Sequence, residues 1–312
     1  MKLILAGSGS IARKHIKAIQ NIDGVELTLL GVDEAEVAAV AKEYNLTSFS
    51  TDLSLLTASD ADGVILATPT PLHAQQTIDC LNAGKHVLVE IPMGMNLEEC
   101  RAITSAQEAT GTIAMVAHTR RFNPPHQWLQ EQFKNGKLNL HHLVVETFFH
   151  RRENVNALGQ KRDWVDHLLW HHACHSVDLF GWQADEAIIK RWAQQGPVSP
   201  TLGIPLDMTI GLKSTSGKLC TIALSFNNEG PLGTWFRYIC EEGTFKVRYN
   251  DMTDGWDKDF NYDWKEETDN GIELQNREFI NAINEKRQPR SSVHDCYDSM
   301  EILHKLEYLS NN

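Results

Sequence analysis

The stretch from Asp163 to Asp178 holds four histidines: His167, His171, His172 and His175. Imidazole is the side chain suited to moving protons near neutral pH. Read at helical period, His167, His171, His175 and Asp178 share one face. Leu169, Trp170, Ala173, Val177 and Phe180 share the opposite face. The segment is expected to be a helix that buries its apolar side and presents imidazoles on the other. A solvated polar face is the plainer alternative, but Lys and Glu are the usual surface choices. Histidines at i, i+4 can also chelate zinc. The sequence supplies no clear accompanying ligand set, so no metal is expected.

A second chemical motif lies near the start of the chain. Gly7-x-Gly9-x-x-Ala12 sits between a short apolar run, Leu3 to Ala6, and a helical stretch that ends at Ile19. Its glycines permit a tight turn and close approach of backbone to a pyrophosphate, and Ala12 suits helix–strand packing. The N–H groups at the helix start, around Ser10 and Ile11, are oriented for an anion. Asp33 closes the next apolar run. A carboxylate there accepts hydrogen bonds from a ribose 2′-hydroxyl and repels a 2′-phosphate. NAD is therefore expected over NADP, although use of NADP stays open. The same Asp33 is also placed to cap the following helix.

These residues need a frame. Up to Ala117, apolar runs alternate with helical stretches, which predicts a doubly wound parallel sheet of Rossmann type over residues 1–120. After Asn123-Pro124-Pro125 the pattern changes. Consecutive strand-like segments recur from Leu143 to Tyr249, with helices at the histidine stretch and at the end of the chain. Residues 121–312 are read as an α+β domain with a mainly antiparallel sheet. A length of 312 residues fits two domains. The net charge of −12 argues against a nucleic-acid partner. No apolar run approaches a membrane span, and the six cysteines are scattered without a Cys-x-x-Cys pair. A cytoplasmic protein with reduced thiols is expected.

The motifs Gly7-x-Gly-x-x-Ala12, Ala67-Thr-Pro-Thr-Pro-Leu-His73, Gly84-Lys-His-Val-Leu-Val-Glu-Ile-Pro92 and Thr119-Arg-Arg-Phe-Asn-Pro124 resemble the glucose-fructose oxidoreductase / inositol dehydrogenase family. The resemblance implies a Rossmann domain followed by a domain with a large open sheet, which often forms an oligomer interface. It also implies that Thr68, Pro69, His73, Glu90 and Pro92 border the cofactor. Two positions depart from the family. Ile91 stands where most members have a lysine, and His171 stands where most have an aspartate four residues before the family histidine, here His175. A narrower branch matches at these positions too. Blocks at 151–154, 164–178, 195–197, 225–240 and 270–275 resemble the dehydrogenases that oxidise the cyclic hemiacetal of the protocatechuate 4,5-cleavage product to 2-pyrone-4,6-dicarboxylate.

That resemblance implies a small dicarboxylate hemiacetal as substrate. Hydride leaves its carbon for NAD, and an imidazole accepts the hydroxyl proton. His175 is the first choice of base and His171 the second. Arg120, Arg121, Arg151 and Arg152 are candidates for the carboxylates, since guanidinium forks suit them. If Arg151 and Arg152 lie in a strand, at most one faces the site. His167 and His172 are further candidates for the pocket, and a homodimer or larger homo-oligomer is expected. Two other readings stand beside this one: a sugar or inositol dehydrogenase, which expects the missing lysine, and a non-catalytic NAD-binding sensor.

Overall fold

The computed structural model describes residues 1–156, 158–162, 164–264, 266 and 268–310; Asp163, the first residue of the histidine stretch, lies outside them. The chain forms two compact units. The first comprises Met1–His118, Asn156–Gln160 and Ile272–Asp298, and the second Thr119–Val155, Lys161–Gly271 and Ser299–Asn312. The segment Ile272–Asp298, placed by sequence in the second domain, packs within the first unit.

In the first unit the order is β1 (Lys2–Ala6), α1 (Ser10–Ile19), β2 (Glu26–Leu30), α2 (Glu34–Glu43), β3 (Ser48–Ser50), α3 (Leu55–Ala58), β4 (Gly63–Leu66), α4 (His73–Asn82), β5 (His86–Val89), α5 (Leu97–Thr110) and β6 (Ala114–Val116). The strands form one parallel sheet ordered β3-β2-β1-β4-β5-β6. Every residue of β4 is buried, as are Leu3 to Ala6 of β1. Such continuous apolar runs mark strands covered on both faces. Strand order reverses between β1 and β4, which is where such sheets bind ligands. The polar strand β3 escaped the sequence reading.

The second unit contains α6 (Pro124–Lys134), β7 (Leu140–Phe148), a π-helical turn (Leu168–Ala173), α7 (Cys174–Ala184), β8 (Ile188–Gln195), β9 (Asp207–Ser214), β10 (Leu219–Ser225), β11 (Gly233–Cys240), β12 (Thr244–Arg248) and β13 (Asp251–Asp254). The sheet order is β13-β12-β11-β7-β10-β9-β8. All its pairs are antiparallel except β7 with β10. Burial alternates along the strands. Leu143, Val145 and Thr147 of β7 are buried, and so are Phe236 and Tyr238 of β11. Val144, Glu146, Trp235 and Arg237 occupy the opposite, more open face. Helix α8 (Gly271–Glu285) leads back to the first unit, and α9 (Tyr297–Ser310) ends in the second. Among the described residues no helix is long and apolar enough to cross a membrane, and all six cysteines are buried and outside any disulfide.

Candidate active site

The turn after β1 is built for close approach. Gly7 has φ +115, and a Cβ there would lie 2.3 Å from the Ala67 carbonyl oxygen. Only glycine fits. Gly9 is the N-cap of α1 and makes no side-chain cap bond, while a Cβ at Gly9 would meet nothing within 4 Å. Open space therefore lies in front of helix N–H groups, including those of Ser10 and Ile11, that have no intrahelical acceptor. A pyrophosphate fits this cradle. Asp33 is exposed and caps α2, with Oδ1 accepting from Glu36 N at 2.8 Å. One oxygen thus serves the cap, and Oδ2 accepts from no described residue.

The loops after β4 and β5 are tied to each other. His73 is buried, with Nδ1 2.9 Å from the Pro92 carbonyl and Nε2 2.9 Å from the Thr68 carbonyl. Burial lowers its pKa. His73, expected beside the cofactor, thus ties the Thr68 and Pro92 loops to each other. Thr68 Oγ1 donates to Gln76, and Pro69 opens the short turn Thr70–Leu72. Glu90 meets His15 of α1 at 2.9 Å, and the other ring nitrogen of His15 meets Asn276 at 2.9 Å. This buried relay links α1, the end of β5 and α8. Sequence reasoning did not single out His15.

The histidine segment departs from the regular helix expected. His167 is its N-cap, in extended conformation, and its Nδ1 accepts from Leu169 N. Leu168–Ala173 is a π-turn, and the α-helix begins only at Cys174. Such insertions recur at functional sites. The predicted apolar side is confirmed: Leu169, Trp170, Ala173, Val177 and Phe180 are all buried. Asp178, read with the imidazoles, lies in the same α-helix as His175, three residues on. It is buried and takes Arg121 bidentately, at 2.8 Å (Nε–Oδ2) and 2.6 Å (Nη2–Oδ1). Ser299 also donates to it. Arg121, a candidate for a substrate carboxylate, is committed to this pair.

A cavity of about 210 Å³ is lined by Arg120, Thr147, Phe149, His171, His172, His175, Ser176 and Thr234. It lies on the helix-covered face of the sheet. Three of the four histidines meet here; His167 does not line it. Thr147, Phe149, Ser176 and Thr234 were not foreseen, although Thr147 and Phe149 are two residues apart and so share a strand face. Arg120 has no carboxylate within ion-pair distance among the described residues. Its guanidinium lies over Phe236 at 5.6 Å and is 3.5 Å from Asn123 Oδ1. Burial pushes its pKa down.

Beside the cavity, Asp166 gathers cations. Arg151 Nη1 donates to Oδ2 at 2.6 Å, Arg162 Nη1 to the same oxygen at 2.9 Å, and His172 Nε2 to Oδ1 at 3.0 Å. Burial alone would raise this carboxyl, but His172, His171 and Arg151 together hold it well below the usual carboxylate range. Arg151 is thereby tied to Asp166, and Arg152 is exposed, bonded to Asn227 and to backbone carbonyls. Neither lines the cavity. His171 Nδ1 accepts from His167 N at 2.9 Å, and its ring stacks on Trp164. In neutral His171 the proton therefore sits on Nε2, which makes it a donor. Cys174, between the histidines, is fully buried.

A nucleotide-binding turn on a parallel sheet, followed by a sheet-and-helix unit with a cavity of imidazoles and one half-buried arginine, defines an NAD-dependent oxidoreductase. Residues 1–118 match the family described as "Oxidoreductase family, NAD-binding Rossmann fold", and residues 124–263 match "Bacterial oxidoreductases, C-terminal". The chain is 49% identical, over 98% of its length and 98% of the relative's, to the 4-carboxy-2-hydroxymuconate-6-semialdehyde dehydrogenase of Sphingobium sp. strain SYK-6. It is 24% identical to inositol 2-dehydrogenase 2 of Paenarthrobacter aurescens, over 89% of this chain and 86% of that one. The fold is shared with the WlbA dehydrogenase of Bordetella pertussis, solved with NADH and UDP-GlcNAcA (TM-score 0.84, 21% identity, 100% of this chain and 95% of that one). The chain belongs to this NAD-binding oxidoreductase family and acts as a dehydrogenase on hydroxyl groups.

Proposed function

We propose that this protein oxidises the cyclic hemiacetal of 4-carboxy-2-hydroxymuconate-6-semialdehyde to 2-pyrone-4,6-dicarboxylate. The observation that carries the reading is Arg120: a half-buried guanidinium without a carboxylate partner among the described residues, in one cavity with three imidazoles. A substrate carboxylate would supply its missing counter-charge. The near-full-length similarity to a dehydrogenase of that name supports the same substrate. Ile91, where a lysine would serve sugar oxidation, argues against a polyol.

NAD, when bound, supplies the hydride acceptor. The rest falls to this chain. Arg120 orients the substrate through a carboxylate, and Thr147 and Thr234 offer hydroxyls to its polar edge. A cavity imidazole takes the hydroxyl proton; His175 holds the position that the family resemblance assigns to the base. A hemiacetal hydroxyl is more acidic than a sugar alcohol, so an imidazole suffices without a lysine. We propose further that copies of the chain associate through the open face of the seven-stranded sheet. Trp192, half exposed, lies on that face in register with Gly211, Thr221, Val144 and Arg237.

The test is NADH formation on freshly prepared ring-cleavage product, compared with myo-inositol. Rapid turnover of the hemiacetal alone is expected. Turnover of inositol, or none on either substrate by protein that binds NADH, would remove the assignment.

A further inference from the structure

Asp166 does not line the cavity, yet it fixes a residue that does. An ionised carboxylate only accepts hydrogen bonds. His172 Nε2, 3.0 Å from Oδ1, must therefore carry the proton, and Nδ1 of the neutral ring is the unprotonated nitrogen. Arg151 and Arg162 share Oδ2, which leaves Oδ1 to His172 and holds the carboxylate in place. Arg151 in turn lies over Phe226 at 4.5 Å. The imidazole itself is packed between Phe149 and Phe226, at ring-centroid distances of 5.2 and 5.1 Å. Its Nδ1 makes no hydrogen bond with a described residue, and His172 lines the cavity. Ring, tautomer and partner are all set before a substrate arrives.

We propose that Asp166 and His172 act as a dyad, in which Asp166 is a positioning residue and His172 Nδ1 accepts the proton of the reacting hydroxyl. This rests on the dehydrogenase reading above. The O–H bond breaks with its proton going to Nδ1. The electron pair left on oxygen forms the new C=O bond, and the C–H pair leaves as hydride to NAD. The imidazolium formed sits against the Asp166 carboxylate, which stabilises it. His171 cannot take this role in its present tautomer, because its Nδ1 already accepts from the His167 backbone.

His172→Gln tests the dyad, because a glutamine amide can still donate to Asp166 but has no basic nitrogen to take up a proton in place of Nδ1. We expect kcat to fall by about 10²–10⁴-fold, the range of general-base catalysis, with KM and NADH binding within about threefold of wild type, the scatter expected of contacts left intact. Asp166→Asn is expected to lower kcat with a similar split. In ¹⁵N NMR of the resting enzyme, His172 should appear as the single Nε2-protonated tautomer, and Asp166→Asn should lose that uniqueness. Should Asp166→Asn fail to fold, His172→Gln and the wild-type tautomer decide. A His172→Gln enzyme with wild-type kcat, beside a dead His175→Asn, would overturn the dyad and leave the substrate assignment standing. An Nδ1-protonated His172 in the resting enzyme overturns it as well. Wild-type protein without turnover removes the substrate assignment and the dyad together.

Discussion

Arg120 and Arg121 are adjacent in the chain and have opposite surroundings. Arg121 is 5% exposed and is held bidentately by Asp178, itself fully buried. Removing one partner of such a pair strands a buried charge, at a cost of about 3–5 kcal/mol. Arg121→Met should therefore show its effect in chemical unfolding, as a loss of that size. Arg120 faces the cavity without a carboxylate. Arg120→Met should leave the unfolding midpoint nearly unchanged and raise KM about tenfold to a hundredfold, the worth of a hydrogen bond to a charged group at about 1.5–3 kcal/mol. Equal KM values in wild type and Arg120→Met would remove Arg120 from substrate recognition. Sequence marked both arginines as one pair. Only the packing of α7 against the segment that carries them shows that their neighbouring side chains diverge.

The start of α1 separates two uses of glycine. At Gly7, φ is +115 and the Ala67 carbonyl stands where a Cβ would go. At Gly9 the backbone is extended and the space is open. Gly7→Ala should lower the melting temperature and abolish NADH binding together. Gly9→Ala should melt like wild type and bind NADH at least about tenfold more weakly, because a methyl then occupies the pyrophosphate's approach. Fluorescence titration with NADH beside a thermal melt reads both. Equal NADH affinity in Gly9→Ala and wild type would place the pyrophosphate elsewhere. The glycine spacing and the apolar runs made this half legible in sequence, since buried parallel strands are continuous apolar stretches. Strand β3 was not legible: Ser48 and Ser50 carry no apolar signal, and its place is set by pairing with β2. The π-turn was not legible either. It depends on a shifted backbone hydrogen-bond partner, which no side-chain spacing in the segment marks. Asp166 escaped for a related reason, because its partner Arg151 comes from another part of the unit.

At the scale of the molecule, the open face of the second sheet is the surface to test. Sedimentation of the wild type should give a dimer or larger assembly, and Trp192→Lys should shift it toward the monomer. A monomeric wild type at micromolar concentration would end that proposal. The division into two units carries a consequence of another kind. His15 of α1 finds its partner in Asn276, the Gly63 backbone packs beneath Phe279, and the Val116 carbonyl accepts from Ser291. A ribosome delivers β1 to β6 first, then the whole second sheet, and only afterwards the residues that complete the first core. The nucleotide-binding half emerges earliest and is completed after the sheet that follows it, so nascent chains hold an unfinished first unit through most of their synthesis.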